Sequence, residues 1–386
     1  MLHQFALSFG RLFPKRLARQ VKELYLATIL QSLALAMIII FEPIYLWQQG
    51  LGLKGILIFY LAVYVLYVLI MPLGAKLANR FGYETSIALS TVSQAIYLLT
   101  LFLSAWSWWW LVITVVAYAG QKSLYWPAYH ADFAHNSDSA EQGKELSGLS
   151  VCIALVYVLG PLLAGLLLTF FSWLWLFIIG SFILLLSNWP LLRTKEIFKP
   201  TDFSYWDTYK QVFGRQNWRR LLAYIGFGEE LIVMVLWPVF IAVVLVNYAE
   251  IGAVVAASTL VMALVTLYIG KLSDEQDAGK VLRLSVLVYF LSWLGRLATR
   301  LPFSVFVVDA WSRVSKNAVI IPLMSITYRR SKLTSVMAGG VFFEMSLSVG
   351  KIVAALILLA IFSFGESWTA AWLTGAAMSL LYLLLK

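Results

Sequence analysis

Charge is what this sequence has least of. Only 12% of its 386 residues are Asp, Glu, Lys or Arg, about half the share of an ordinary soluble domain. With 61% hydrophobic residues, a water-soluble fold of this length would have no polar surface to present. Cysteine is nearly missing: Cys152 alone excludes a disulfide framework and leaves the redox compartment unread. There are three histidines. His130 and His135 group with Asp132 in "YHADFAH", at a membrane rim that fixes ligand geometry poorly, so no metal site is expected. The chain also lacks a phosphate loop of the GxxxxGK type, a nucleophile elbow and a metal-ligand pattern. The expectation is a non-enzyme without a cofactor. Its N-terminal stretch has no compact apolar core followed by a small-residue cleavage site, so it does not read as a secretory signal. Phe5, Phe9, Leu12 and Phe13 opposite Arg11, Lys15, Arg16 and Arg19 instead predict a short interfacial helix.

What the chain has in quantity is long apolar runs. About 20 such residues cross a bilayer as a helix, and twelve runs qualify: roughly 24–48, 55–78, 84–104, 108–131, 146–168, 172–192, 220–246, 251–271, 281–299, 303–328, 334–363 and 367–385. The expected fold is all-α and integral to the membrane. The net charge of +10 follows loops as orientation signals do, which argues against nucleic acid. With both termini in the cytoplasm, cytoplasmic segments hold 22 Lys and Arg and outer loops hold three, Lys54, Arg296 and Arg300. That asymmetry predicts both termini inside a cell membrane. Trp47, the "WSWWW" at 106–110, Trp173, Trp175, Trp368 and Trp372 are expected in the outer aromatic belt.

A polar interruption at 193–219 divides six spans (1–192) from six (220–386), and its "YWDTYKQVF" reads as an interfacial connector. The halves repeat: Pro43 and Pro238, Asn79 and Asp274, and Pro127 and Pro322 are each 195 positions apart. Parallel six-helix repeats are a transporter architecture with the site between halves near the midplane.

On "AKLANRFGYE" (75–84), the chain resembles the major facilitator superfamily over essentially its whole length. Leu77, Ala78, Arg80 and Gly82 match that family's signature after the second helix. Asn79 stands where an Asp is usual, and Ala75 where the first Gly is. The echo "GKLSDEQDAG" (270–279) keeps Gly270 and Asp274. The resemblance implies two pseudo-symmetric six-helix bundles and a latch of Asn79, Arg80, Gly82, Gly270 and Asp274 that breaks between conformations. A glycine suits the tight turn, and a side-chain oxygen beside a helix N-terminus accepts orphan N–H groups. Gly160, Pro161 and Gly165 in "VLGPLLAGLL" resemble the family's antiporter motif, which leans the expectation toward export.

The few charges inside the spans carry the functional reading. Each costs about 2.5–3.5 kcal/mol at the bilayer centre on insertion scales. Glu229 and Glu230 lie roughly 14–15 Å into the seventh span at 1.5 Å per residue, with Glu230 on the stripe better placed for a cavity. They and Glu344 are the proton-coupling candidates. Gln31, Lys122, Tyr125, Tyr129, Trp237, Arg313 and Lys316 are the substrate-cavity candidates, the tyrosines sharing one face with Lys122. Five acids (Glu42, Glu229, Glu230, Asp309, Glu344) stand against four bases (Lys122, Arg313, Lys316, Lys351). Full pairing would leave one carboxylate over, free to take a proton. The function expected is secondary transport of a small molecule by alternating access, proton-coupled and leaning to efflux of amphiphilic compounds, by a monomer. Symport of a charged or zwitterionic nutrient is the alternative, with a non-transporting sensor or a lipid-translocating protein as the outside option.

Overall fold

In the computed structural model, residues 19–136, 140–191, 204–275, 278–331 and 336–385 are described, with side chains for 25–131, 152–190, 204–266, 279–327 and 337–385. The first half comprises α1 (Arg19–Ile38), α2 (Phe41–Gln48), α3 (Gly52–Phe81), α4 (Tyr83–Leu103), α5 (Trp108–Asn136), α6 (Ala140–Phe170) and α7 (Trp173–Leu191). A short α8 (Tyr205–Phe213) precedes α9 (Trp218–Ile225), α10 (Gly228–Leu231), a π-helical turn over Ile232–Leu236, and α11 (Trp237–Leu245). Then follow α12 (Tyr248–Glu275), α13 (Ala278–Gly295), α14 (Pro302–Ser331), α15 (Val336–Phe362) and α16 (Trp368–Ser379). No strand occurs among the described residues. Nine helical stretches there are long and apolar enough to cross a membrane, and Trp368–Leu384 is a shorter apolar one. The 29-residue α5 and the 30-residue α14 are of spanning length but carry charges.

Two of the expected spans are interrupted, and proline explains one interruption in each. Pro43 has no N–H, so the Ile39 carbonyl loses its helical donor, and the chain turns between α1 and α2 at Ile39–Ile40. Pro238 removes the donor for Met234, which sits inside the π-helical turn before α11. Such π turns relieve a disrupted i→i−4 ladder and recur at functional sites.

The first half packs α1 on α6 and α7, and α5 on α3 and α4; the second packs α14 on α12 and α13, and α15 on α9 and α10. The halves meet where α6 lies on α12, α15 on α3 and α5, and α11 on α2. Glycine allows the α6–α12 crossing: a Cβ on Gly165 would fall 2.4 Å from the Tyr248 carbonyl oxygen, and one on Gly252 2.4 Å from that of Pro161. At the far end, where α2 finishes, Tyr248 Oη donates to Gln48 Oε1 at 2.8 Å and packs edge-on against Phe41. The near end is the one where α1 begins.

The aromatic-belt expectation divides. Trp106, Trp108, Trp109 and Trp175 are exposed, whereas Trp372 is buried against Trp237, Trp293 and Phe240. The expectation for Arg296 as an outer-loop charge is corrected. A single 3-10 turn, Arg296–Ala298, continues α13 and directs this side chain inward, where it is 1% exposed.

Candidate functional site

The break between α9 and α10 turns the chain at Gly226 and Phe227, immediately before the two adjacent carboxylates. A Cβ on Gly228 would lie 2.3 Å from the Gly350 carbonyl oxygen, so α10 presses directly onto α15. Glu229 faces into its own half and is fully buried. It accepts hydrogen bonds from Lys316 Nζ, from Tyr289 Oη at 2.5 Å and from Tyr382 Oη at 2.9 Å. Glu230 is only partly enclosed, with 24% of its side chain exposed. Its Oε1 lies 3.3 Å from Lys316 Nζ, and its Oε2 lies 3.1 Å from Lys351 Nζ. Two carboxylates and two ammonium groups thus form one ladder, with Lys316 shared between the acids.

The first half meets this ladder through an aromatic ring. Lys351 Nζ stands 5.1 Å from the centre of the Tyr64 ring, and Lys122 Nζ stands 5.6 Å from it and 4.3 Å from that of Tyr118. An ammonium over a ring face is attracted by the ring quadrupole. No carboxylate among the described residues pairs with buried Lys122. Tyr64 belongs to a stripe on α3 with the spacing of one helical face. Tyr60 donates to Glu42 at 2.5 Å, and Tyr67 donates to Glu344 at 3.1 Å. Glu344 also meets His130 Nε2 at 3.0 Å. This stripe was not among the expected site residues, although its i, i+4, i+7 spacing is readable in the sequence.

The other candidates fall elsewhere. Asp309 accepts from Arg313 Nε at 2.7 Å and from Trp237 Nε1 at 2.9 Å. Trp237 is therefore no cavity wall in this conformation; it is 1% exposed and stacked on Phe240. Arg296 lies 3.8 Å from the Trp293 ring centre and 4.9 Å from that of Trp237. Its Nη2 donates to Ser312, while Nε and Nη1 have no hydrogen-bond partner. Tyr125 and Tyr129 do not join Lys122 but stack on each other, with Trp126 set against both. Gln31 is half-buried on α1. Counting Arg296, four buried acids and the partly open Glu230 face five bases, and each of the five carboxylates has a hydrogen-bonding or charged partner. Arg296 nevertheless pairs with no carboxylate, its Nη2 going to Ser312, so Glu42, held by Tyr60, and Glu344, held by Tyr67 and His130, have no Lys or Arg partner among the described residues.

Of the latch residues, Gly82 takes φ +107° between α3 and α4, a conformation that favours glycine. Arg80 lies over the Phe81 ring, and Asn79 closes the last turn of α3 half-buried. The side chains of Gly270 and Asp274 lie outside the described residues, as do His135 and Asp132. No cluster of metal-ligating side chains occurs among the described residues.

Residues 24–245 match the Major Facilitator Superfamily, more than half of the chain, and this protein belongs to that family. No curated protein matches the sequence. Two solved structures share the fold. A point mutant of the nucleoside transporter NupG has a TM-score of 0.69 at 14% identity, covering 94% of this chain and 98% of that one. NupG without that mutation gives 0.65 at 14% identity, covering 94% and 97%. The protein is thus a multi-pass, helical membrane protein with this family's fold, a secondary transporter.

Proposed function

We propose that the chain couples the movement of a small anionic or zwitterionic molecule to protons across the cell membrane, with Glu230 as the coupling carboxylate. The observation that carries this reading is the position of Glu230, partly open between Lys316 and Lys351, with Lys351 in turn over the Tyr64 ring of the first half. Protonating Glu230 would leave Lys316 held by Glu229 but free Lys351, which already shares the Tyr64 ring with the unpaired Lys122. Two ammonium groups flanking one ring then attract an anion, and the anion in turn favours the protonated acid. Such reciprocal linkage typically amounts to about 1–3 kcal/mol, or roughly 5–150-fold in affinity. Alternating access comes from the two bundles rocking, with the turn at Asn79, Arg80 and Gly82 and its counterpart at Gly270 and Asp274 acting as latches. All twelve helical runs cross the bilayer in this reading, both termini are cytoplasmic, and a monomer suffices.

Efflux of amphiphilic compounds is the second reading, favoured by the partly exposed Tyr125, Trp126 and Tyr129 group. The antiporter-like glycines do not argue for it, since Gly160 and Gly165 are used in close helix crossings. NupG is a nucleoside transporter by name, and nucleosides therefore belong in the substrate panel. The test is substrate-dependent proton flux in proteoliposomes across organic anions, zwitterions, nucleosides and cationic amphiphiles. Anion- or zwitterion-driven flux that vanishes in Glu230→Gln supports the proposal. Flux driven by cationic amphiphiles alone, or undiminished in Glu230→Gln, refutes it.

A further inference from the structure

The α3 helix contains a proline, Pro72, one turn beyond the Tyr60–Tyr64–Tyr67 stripe. Proline cannot donate, so the Val68 carbonyl four residues earlier has no helical partner. The chain supplies donors from an unexpected place. Tyr209 Oη on α8 lies 3.0 Å from both the Val68 and the Leu69 carbonyl oxygens, and Tyr205 Oη lies 2.9 Å from that of Leu69. The two hydroxyls are 3.3 Å apart. Burial and the neighbouring Tyr205 push the Tyr209 hydroxyl up from its ordinary range, so it stays protonated and able to donate. The connector between the halves therefore caps the carbonyl that Pro72 leaves without a helical donor, and its neighbour, in the helix that carries Tyr64 and Tyr67 into the central site.

The outer face of α8 has a different chemistry. Trp206 is 71% exposed and Phe213 57%. Exposed Lys210 lies beside them on α8, with Arg215 and Arg219 just beyond its end. One acid offsets them, Asp207, which sits 3.2 Å from Lys210. Ser204 caps the helix by accepting from the Asp207 backbone N–H. Aromatic side chains interleaved with bases on a short surface helix match a leaflet of anionic lipid, rings at the headgroup level and bases on the phosphates.

We propose that α8 is an anionic-lipid sensor. Phosphate-bearing lipid headgroups of the near-end leaflet bind Lys210, Arg215 and Arg219. That binding holds α8 where Tyr205 and Tyr209 cap the Val68 and Leu69 carbonyls before Pro72. Lipid charge is thereby passed to α3 and to the tyrosines of the central site.

The test uses the full chain in nanodiscs of phosphatidylcholine alone or of phosphatidylcholine with phosphatidylglycerol. Hydrogen–deuterium exchange is read over residues 64–76, and lipid retention by native mass spectrometry. Exchange over 64–76 should slow in the anionic discs. The Lys210→Gln, Arg215→Gln, Arg219→Gln variant should lose that slowing and hold phosphatidylglycerol roughly fivefold more weakly per base removed. The Tyr205→Phe, Tyr209→Phe variant should keep the lipid yet lose the slowing, which separates capping from binding. Equal exchange of the unmodified protein in both discs overturns the proposal, as does slowing that survives in either variant. Equal slowing by soluble glycerol phosphate in neutral discs overturns the leaflet as the source.

Discussion

The adjacent carboxylates have different surroundings, and that difference sets the size of two substitutions. In Glu229→Gln, three donors converge on a group that carries no charge and brings an NH2 of its own. Breaking a buried ion pair by neutralising one member costs about 3–5 kcal/mol. Lys316 keeps Glu230 at 3.3 Å, so the low end, about 3 kcal/mol, applies. Glu230→Gln is milder. Lys316 retains Glu229, and Lys351 retains the Tyr64 ring and the new amide oxygen, a loss of about 1 kcal/mol. With an unfolding entropy of about 2.1 cal/mol/K per residue, each kcal/mol moves the midpoint of a chain this long by about 1.2 °C. Thermal melts in detergent should then fall by about 4 °C for Glu229→Gln and about 1 °C for Glu230→Gln. Proton-driven accumulation should vanish in Glu230→Gln nonetheless. Equal melting losses, or a larger loss for Glu230→Gln, would refute the division of one structural and one coupling acid.

Arg296→Met should leave the melting temperature unchanged or raise it, because a buried guanidinium with two unsatisfied N–H groups is removed while its aromatic contacts are refilled; a fall equivalent to more than about 2 kcal/mol contradicts this. Tyr64→Leu removes the ring shared by Lys122 and Lys351 and should weaken substrate binding in a titration by about 1–2 kcal/mol, while Tyr64→Phe should bind as the unmodified protein does. Gly82→Ala places a side chain at φ +107°, at a cost of about 1–2 kcal/mol in thermal melts; an unshifted melt would show that the turn is not held as described. Gly252→Leu drives a side chain into the Pro161 carbonyl and should abolish transport or folding, and a fully active Gly252→Leu protein would refute the close α6–α12 crossing.

How much of this was legible without coordinates depends on the range of the interaction. Membrane character is a bulk property of composition, and the turn at Gly82 is local, so both could be read from the residues. The Tyr60–Tyr64–Tyr67 face could have been read too, but polar rings within an apolar run look like ordinary packing. The pairings could not be read. Tyr67 and Glu344 are 277 positions apart, and Tyr382 and Glu229 are 153 apart; no spacing rule reaches that far. Arg296 was placed in a loop because hydropathy ends at a charge, whereas the chain adds one 3-10 turn and carries the guanidinium back onto Trp293. Trp237 looked like a stacking surface until Asp309 claimed its indole N–H.

The repeated prolines explain why the two halves share a backbone but not a chemistry. Pro43 and Pro238 break their helices at related positions, and each break turns the preceding residue inward. That residue is Glu42 in the first half, accepting from Tyr60, and Trp237 in the second, donating to Asp309. The same interruption therefore delivers an acceptor on one side and a donor on the other. The central groups diverge in the same way, with Lys122 and tyrosine rings from the first half and the Glu229–Glu230–Lys316–Lys351 ladder from the second. On the reading proposed above, proton exchange belongs to the half that holds the partly open Glu230 and the bases beside it. On the same reading Lys122, which has no ion-paired acid among the described residues, is the group that would receive the negative group of the cargo.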